Sequence, residues 1–505
     1  MTVTGALGLN SAPNYVIYVN PTTSSFANVS GAATLGGATV VANYANGSYI
    51  SKQYTILRQH QWHVRHAHQH QSAGEFLGRA ELRHHARLSR PDADFTTAPA
   101  FGNGLNSNKN NVGNALTNFF NTTGGIPLVF GALSPNGLAQ AAGEAATGSQ
   151  QTTFNAMGMF MGLLTDPFIV GRGDGATGGA GASGFAEEND AANAYAANGK
   201  RRSKGERDAY AAIYRKAPPM AETFAQRWSV WAAGYGGSQT TDGNAVLGSN
   251  TATSRIYGTA VGADYRFSPF TLAGFAFAGG GTNFSVANGF GTGRSDLFQA
   301  GAFIRHNVGP AYISAALAYG WQDITTDRTV TIAGVDQLRA KFNANAWSGR
   351  VEGGYRLVTQ GFGLTPYAAG QFTTFELPNY GEAVVSGANT FALAYAAKSV
   401  TATRSELGLR SDKSFAMPDG IFTLRGRLAW AHNFNPDRSI AATFQTLPGA
   451  SFVVNGAGQA RDAALTTASA EIKWLNGWSA AATFEGEFSH VTRSYAGKGV
   501  VRYTW

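Results

Sequence analysis

From residue 227 to the C-terminus the chain alternates between apolar and polar positions. Ile313, Ala315, Leu317, Tyr319 and Trp321 oppose Ser314, Gly320 and Gln322. Trp347, Val351, Tyr355 and Leu357 oppose Ser348, Arg350, Glu352 and Arg356. Phe422, Leu424, Leu428, Trp430 and Phe434 oppose Thr423, Arg425, Arg427 and Asn433. Trp478, Ala480, Ala482, Phe484 and Phe488 oppose Ser479, Thr483, Glu485 and Glu487. A period of two marks a strand with one apolar and one polar face. Twelve such stretches can be counted, at 227–236, 254–267, 270–283, 294–307, 310–323, 342–358, 362–376, 398–413, 420–434, 462–475, 478–490 and 493–505. The last places Tyr495, Val501, Tyr503 and Trp505 on one parity and Lys498, Arg502 and Thr504 on the other. A strand that ends a chain on an aromatic would be a sticky edge in an open sheet. It is accommodated if the sheet closes into a barrel.

The connections carry a second signal. Short ones at Ser268-Pro269, Val308-Gly309, Gln360-Gly361 and Asn476-Gly477 alternate with long ones near 237–253, 324–341, 377–397 and 435–461. Strands of this length suit a tilted membrane crossing, which needs ~10 residues. Tight turns at one rim and long loops at the other are the habit of outer-membrane barrels. The predicted fold is mainly β, with a C-terminal 12-stranded antiparallel transmembrane β-barrel at 227–505. An even strand number leaves both sheet ends on the turn side, so the segment before Arg227 enters from there or through the lumen.

Composition agrees. Charged residues make up 13% of the 505, aromatics 12%, and Gly 64 positions. Mean hydropathy is −0.15, with no apolar run of about 18 residues, the length a membrane helix needs. The chain lacks cysteine, which excludes disulfides and thiolate metal sites. The net charge of +8 lies on alternate strand positions and in loops rather than in a basic run, which argues against nucleic acid. The opening residues, Met-Thr-Val-Thr-Gly-Ala-Leu-Gly-Leu-Asn, have neither the basic region nor the apolar core of a signal peptide. The expectation is that the export signal is missing from this chain.

The N-terminal part is heterogeneous. Residues 1–57 hold short β-like runs at Tyr15–Val19, Ala38–Ala42 and Tyr49–Leu57, punctuated by Gly and Asn. They read as the end of a β-solenoid or as a loose Ser/Gly-rich arm. Residues 58–90 break the composition: seven of the ten histidines and six arginines fall there. We expect a shifted reading frame, part of an anomalous stretch at 58–100, testable by translating the neighbouring frames. The alternating His66, His68 and His70 would also suit a metal on one strand face, a weaker reading. Residues 101–167 turn helical, with apolar stripes through Val112, Leu116, Phe119 and Phe120 and through Phe154, Met157, Phe160, Met161 and Leu164; both read as packing faces. Residues 168–226 read as linker, Gly/Ala-rich at 171–184 and Ala-rich with charges at 186–216.

The polar face of the strands carries both charge signs. Arg350, Glu352, Arg356, Arg425, Arg427, Glu485, Glu487 and Arg502 are expected to face the lumen, because an Arg or Lys against lipid costs up to ~2–4 kcal/mol at the midplane. They read as a structural network rather than as a filter or a catalytic set. His432 falls on the lipid-facing parity, and no nucleophile motif accompanies it. The expectation is no enzyme, no cofactor and no metal.

The chain resembles a monomeric autotransporter, the type V secretion class. Arg227-Trp-Ser-Val-Trp-Ala-Ala-Gly-Tyr-Gly-Gly-Ser resembles the opening of that β-domain, as do Gly258-Thr-Ala-Val-Gly-Ala-Asp-Tyr-Arg-Phe267 and Ser405-Glu-Leu-Gly-Leu-Arg410. Val501, Tyr503 and Trp505 resemble the family's C-terminal assembly signal, and residues 31–57 its passenger stem. The resemblance implies insertion in the bacterial outer membrane by the barrel assembly machinery, aided by periplasmic chaperones, and export or anchoring of a short N-terminal passenger remnant at the cell surface. It implies a monomer contacting outer-membrane lipid, and places the pore helix at 186–216. That segment has Asn189, Asn193 and Asn198 but no Asn–Asn pair, so self-cleavage there is not expected. A porin-like channel is the alternative, with 226 residues ahead of the barrel against it. An outer-membrane hydrolase would need a His with a carboxylate or Ser near the outer rim, and the strand ends offer none from sequence.

Overall fold

The computed structural model describes residues 1–8, 14–19, 23–34, 39–44, 54–59, 68–69, 87–88, 104–123, 125–167, 227–359 and 362–505. The expected pore helix at 186–216, the linker at 171–184, the turn at 360–361 and nearly all of 58–90 lie outside these residues.

A closed antiparallel barrel of twelve strands forms the C-terminal region. Its strands are β1 (Trp228–Thr241), β2 (Ala252–Ser268), β3 (Thr271–Val286), β4 (Gly291–Val308), β5 (Ala311–Val330), β6 (Asp336–Tyr355), β7 (Phe362–Leu377), β8 (Lys398–Met417), β9 (Gly420–Asn433), β10 (Asp462–Trp474), β11 (Trp478–Phe488) and β12 (Thr492–Thr504). Each pairs with its neighbour in sequence, and β12 pairs back onto β1 from Thr241↔Thr492 to Ser229↔Thr504. The barrel therefore has no free edge, which removes the hazard of an aromatic-ended strand.

Alternation persists along every strand. Outward positions are apolar between two aromatic levels. Trp228, Phe267, Trp478 and Trp505 mark the turn end, and Tyr257, Phe298, Trp321 and Trp347 the loop side; all are exposed. Above the second level the outward residues become polar, as in Asp327 and Arg339, an exposed ion pair at 2.6 Å. This change explains a difference from the sequence reading. The long connection expected at 324–341 is largely strand, because β5 runs to Val330 and β6 begins at Asp336, and the one at 237–253 is shortened, because β1 runs to Thr241. The period-two pattern continues there with a polar outer face and buried Ile324 and Val330 inside. The connections at 377–397 and 435–461 also hold strands, Tyr380–Ser386, Leu393–Tyr395, Ser439–Phe444 and Ser451–Asn455. They extend the β6 side of the wall beyond the loop rim. The connections at Ser268-Pro269, Val308-Gly309 and Asn476-Gly477 are as tight as expected; Gly309 and Gly477 adopt positive φ there, which residues with a Cβ avoid.

Among the described residues four helices precede the barrel: α1 (Ser107–Thr123), α2 (Leu128–Gly131), α3 (Pro135–Ala141) and α4 (Ala145–Thr165). Ser134 caps α3 by accepting from the Gly137 amide at 3.1 Å, with Pro135 at the first helical position. The first three helices seat at the loop end. Phe130 of α2 packs against Phe391 and Phe444 of the loop-end extension, with centroids at 5.0 and 5.1 Å. Asn108 and Asn111 of α1 donate to the Asn455 and Val453 carbonyls at 2.8 Å each. Two side-chain amides thus cover the edge of the Ser451–Asn455 strand. No helix among the described residues is long and apolar enough to cross a membrane.

Near the N-terminus, short strands pair in parallel. Ala27–Val29 lies between Thr2–Val3 and Leu57–Gln59, and Asn14–Val19 pairs with Thr39–Tyr44. They enclose a small core of Ile17, Val19, Ala27, Val29, Ile56 and Leu57.

Candidate functional site

The lumen has two unlike walls. On β3, β5 and β6 many inward positions are small: Ala276, Ala278, Ala316, Ala318, Ala344 and Ala346 are all buried. On β8–β12 inward positions carry charges. The small wall leaves room for a helix, and α4 fills it. Met157, Phe160, Met161, Leu163 and Leu164 of α4 are buried against that wall. A Cβ at Gly320 would lie 2.7 Å from the Met157 sulfur, and one at Gly301 would lie 2.6 Å from Leu164 Cδ1. Glycine at both positions lets the helix approach the backbone.

The helix runs from the loop end into the barrel. At its start, Glu144 accepts from the Asn250 amide at 2.6 Å and from Asn250 Nδ2 at 2.5 Å, in the β1–β2 loop. Burial pushes the Glu144 carboxyl up to about 7, against the opposing pull of the two Asn250 hydrogen bonds. Along the helix, Gln150 donates to the Ser439 carbonyl at 2.9 Å, and Thr153 pairs with Gln322 at 3.1 Å. Arg438 donates to Gln151 at 3.0 Å and lies over the Phe154 ring at 4.5 Å. At the foot, Lys498 of β12 bridges Asp166 at 2.7 Å and Glu485 at 3.0 Å. Lys498 sits midway along β12, so α4 spans the loop-end half of the lumen. The apolar stripe read from sequence as a packing face thus packs inside the lumen; the expected pore helix at 186–216 lies outside the described residues.

On the open side of α4, Asn155, Gly158, Gly162 and Thr165 face a cavity of about 220 Å³. Its far wall is the charged network. Arg350 donates to both oxygens of Glu406 at 3.1 and 2.8 Å and to Glu352 at 2.9 Å. Arg410 donates to both oxygens of Glu352 at 2.6 and 2.8 Å. Tyr312 donates to Glu352 at 2.8 Å, and Arg410 stacks on the Tyr367 ring at 3.7 Å. Arg404 pairs with Glu487 at 3.0 Å. Charges removed from water hold only when paired and hydrogen-bonded, and this network supplies both.

Of the expected lumen residues, Arg350, Glu352, Arg427, Glu485 and Glu487 line this cavity. Arg427 donates to Thr467 at 2.9 Å. Arg356 and Arg425 pair with Asp412 and Glu471, the former at 2.6 Å. Arg502 pairs with Asp264 at 3.1 Å nearer the turn end, where Trp231 also donates to Asp264 at 3.1 Å. The sequence reading missed Arg404 and Arg410, although they share the parity of Glu406 and period two could have found them. It also missed Asp166 and the buried pair Arg328–Glu382, at 2.5 Å in the loop-end extension. Those two needed the tertiary path of the chain.

Val501, Tyr503 and Trp505 lie on the outward face of β12. Tyr503 packs between Trp478 and Trp505, with centroids at 5.0 and 5.8 Å. His432 faces outward at the loop side of β9, with its Nδ1 at 2.8 Å from Asp462 Oδ1. The structure thus provides the carboxylate that the sequence reading did not find. Among the described residues no group of three or more His, Cys, Asp or Glu is arranged to hold a metal; His66 and His70 lie outside these residues.

Residues 230–485, just over half of the chain, match the family described as Autotransporter beta-domain. The chain is 28% identical over 231 residues to an extracellular serine protease of Serratia marcescens, covering 45% of this chain and 21% of that protein. A second match to an extracellular serine protease of the same organism is 28% identical over 180 residues, covering 35% and 17%. The chain thus spans about a fifth of the length of these curated relatives. Similar solved structures include the translocator domain of autotransporter NalP from Neisseria meningitidis, at 15% identity, TM-score 0.45, and 62% and 96% coverage of this chain and that one. The β domain of the Bordetella autotransporter Brka matches at 17% identity, TM-score 0.43, and 55% and 100% coverage. The chain belongs to the autotransporter β-domain family, the translocator barrels of the bacterial outer membrane.

Proposed function

We propose that this barrel exports its own N-terminal segment and anchors it at the cell surface. The path of the chain carries the reading: α1–α3 sit at the loop end, α4 descends into the lumen, and β1 starts at the turn end. A polypeptide threaded through the barrel would leave its described parts in these places. The parallel strands near the N-terminus support a β-solenoid passenger stem at 1–57. Insertion through the barrel assembly machinery is read from Val501, Tyr503 and Trp505 on the lipid-facing side of the closing strand. The working unit is a monomer in outer-membrane lipid, with periplasmic chaperones upstream of insertion. The protease activity named for the Serratia relatives is not carried over, and export by this route needs no catalytic residue.

The porin-like alternative predicts an open lumen, and the seated α4 disfavours it. Protease shaving of intact cells separates the two. The chain is given a signal peptide and an N-terminal epitope tag, and insertion is confirmed by a heat-dependent gel shift. Loss of the tag with survival of the barrel is the expected result. An inserted barrel whose tag stays protected overturns the export reading.

A further inference from the structure

Ser405, His432 and Asp462 stand in one row across three strands. Ser405 is directly opposite His432 in the β8–β9 register, and His432 is directly opposite Asp462 in the β9–β10 register. All three face outward, at the loop side of the apolar band beside Trp430. His432 Nδ1 is 2.8 Å from Asp462 Oδ1, and Trp430 Nε1 donates to the same oxygen at 3.0 Å. Phe434 holds the imidazole edge-to-face, with centroids at 4.8 Å.

The orientation of the ring matters. With Nδ1 engaged by Asp462 on β10, Nε2 is the ring nitrogen left to exchange a proton. The residue opposite on β8 is Ser405, and directly opposed residues hold their Cβ atoms ~4.5–5.5 Å apart. A serine hydroxyl rotates freely to find a partner. The carboxylate orients the imidazole, and a serine stands opposite it in the strand register: these are the parts from which an activated serine nucleophile is built. Thr403 lies on the same face one pleat along and offers a hydroxyl to a developing oxyanion. Nothing in the passage of a polypeptide through the lumen uses residues on the outer wall. Their level is that of the aromatic belt, where lipid head groups meet the acyl chains.

We propose that Ser405, His432 and Asp462 form an esterase site on the outer wall of the barrel, acting on acyl esters of the surrounding lipid. Ser405 Oγ attacks the ester carbonyl while His432 Nε2 takes the hydroxyl proton. The C–O bond to the alcohol breaks, and the alcohol leaves with that proton. Water, deprotonated by His432, then releases the fatty acid and restores the serine.

The test uses the full chain, folded in detergent micelles and checked by its heat-dependent gel shift, with a fluorescent fluorophosphonate as probe. Ser405 Oγ would displace fluoride and keep the phosphonyl group. The expected result is one labelled residue, mapped to Ser405 by peptide mass spectrometry. Labelling disappears in Ser405→Ala and slows by about 100-fold in His432→Ala, the scale of a lost general base. Folded wild-type protein that labels no more than its heat-unfolded form overturns the proposal, as does labelling that persists in Ser405→Ala. Either result would make the row a polar tether between β9 and β10.

Discussion

Trp228 and Trp505, the first residue of β1 and the last of the chain, exchange backbone hydrogen bonds. The Trp228 amide donates to the Trp505 carbonyl at 3.2 Å, and the Trp505 amide donates back at 3.0 Å. The final residue is thus the last pair in the seam that closes the barrel. Its side chain, half exposed, stacks on Tyr503 in the lipid-facing belt.

That division between backbone and side chain separates two roles for Trp505. In Trp505→Ala the seam hydrogen bonds persist, so the barrel refolded in detergent should melt within a few degrees of wild type. If the side chain is the assembly signal, the inserted fraction in cells should fall several-fold. Heat-shift gels of cell envelopes and of refolded protein measure the two separately, and an equal loss in both would refute a specific role in assembly.

Tyr367 lies against Gly408 on the neighbouring strand, where a Cβ would come within 2.5 Å of the ring and 2.6 Å of the Ala429 Cβ. The same ring supports Arg410. Gly408→Val should destabilise the barrel by about 1–3 kcal/mol through overpacking. Urea unfolding in lipid vesicles, followed by tryptophan fluorescence, should show the shift; an unchanged midpoint would mean that the ring relaxes without cost.

Glu406 accepts both forks of Arg350. Glu406→Gln leaves the buried Arg350 guanidinium with Glu352 as its remaining carboxylate, which should cost less than the about 3–5 kcal/mol of a wholly unpaired charge. The double variant Arg350→Met with Glu406→Gln removes the under-paired charge and should recover part of that loss. A double-mutant cycle on unfolding midpoints checks this, and additive losses would show the two residues to be uncoupled.

The seating of α4 rests on small inward residues. Gly320→Leu should push Met157 and the helix off the wall. Ion conductance in planar bilayers should then rise above wild type, toward that of a deletion of 104–167. Conductance equal to wild type would show that α4 adapts within the lumen.

Glu144 gives the loop-end cap a pH dependence. Its carboxyl is raised from 4.5 to about 7 by burial, so the seated state binds more protons than the released state between these values. The stabilisation is complete below about 4.5 and is lost as pH rises through about 7. Hydrogen exchange across 125–167 should accelerate between pH 6 and pH 8 in wild type, beyond the intrinsic pH effect, and should lose that excess in Glu144→Gln. An excess retained in Glu144→Gln would assign the effect to another group.

The sequence by itself determined the barrel. Period two is a local property: within the apolar band large apolar residues face out and the charges of Arg350, Glu352 and Arg502 face in, so the strand count and that inward parity were legible without a fold. It underestimated β1, β5 and β6 at the loop end, because beyond the bilayer the outer face turns polar and the contrast between faces fades. Tertiary structure decided what depends on neighbours distant in sequence. The stripe through Met157 and Phe160 is apolar in either setting, and only the alanine wall of β3, β5 and β6 shows that it fills a lumen. Ser405, His432 and Asp462 lie about 30 residues apart, and only the register of β8, β9 and β10 puts them in one row. Register is a property of pairs of strands, and no single strand encodes it.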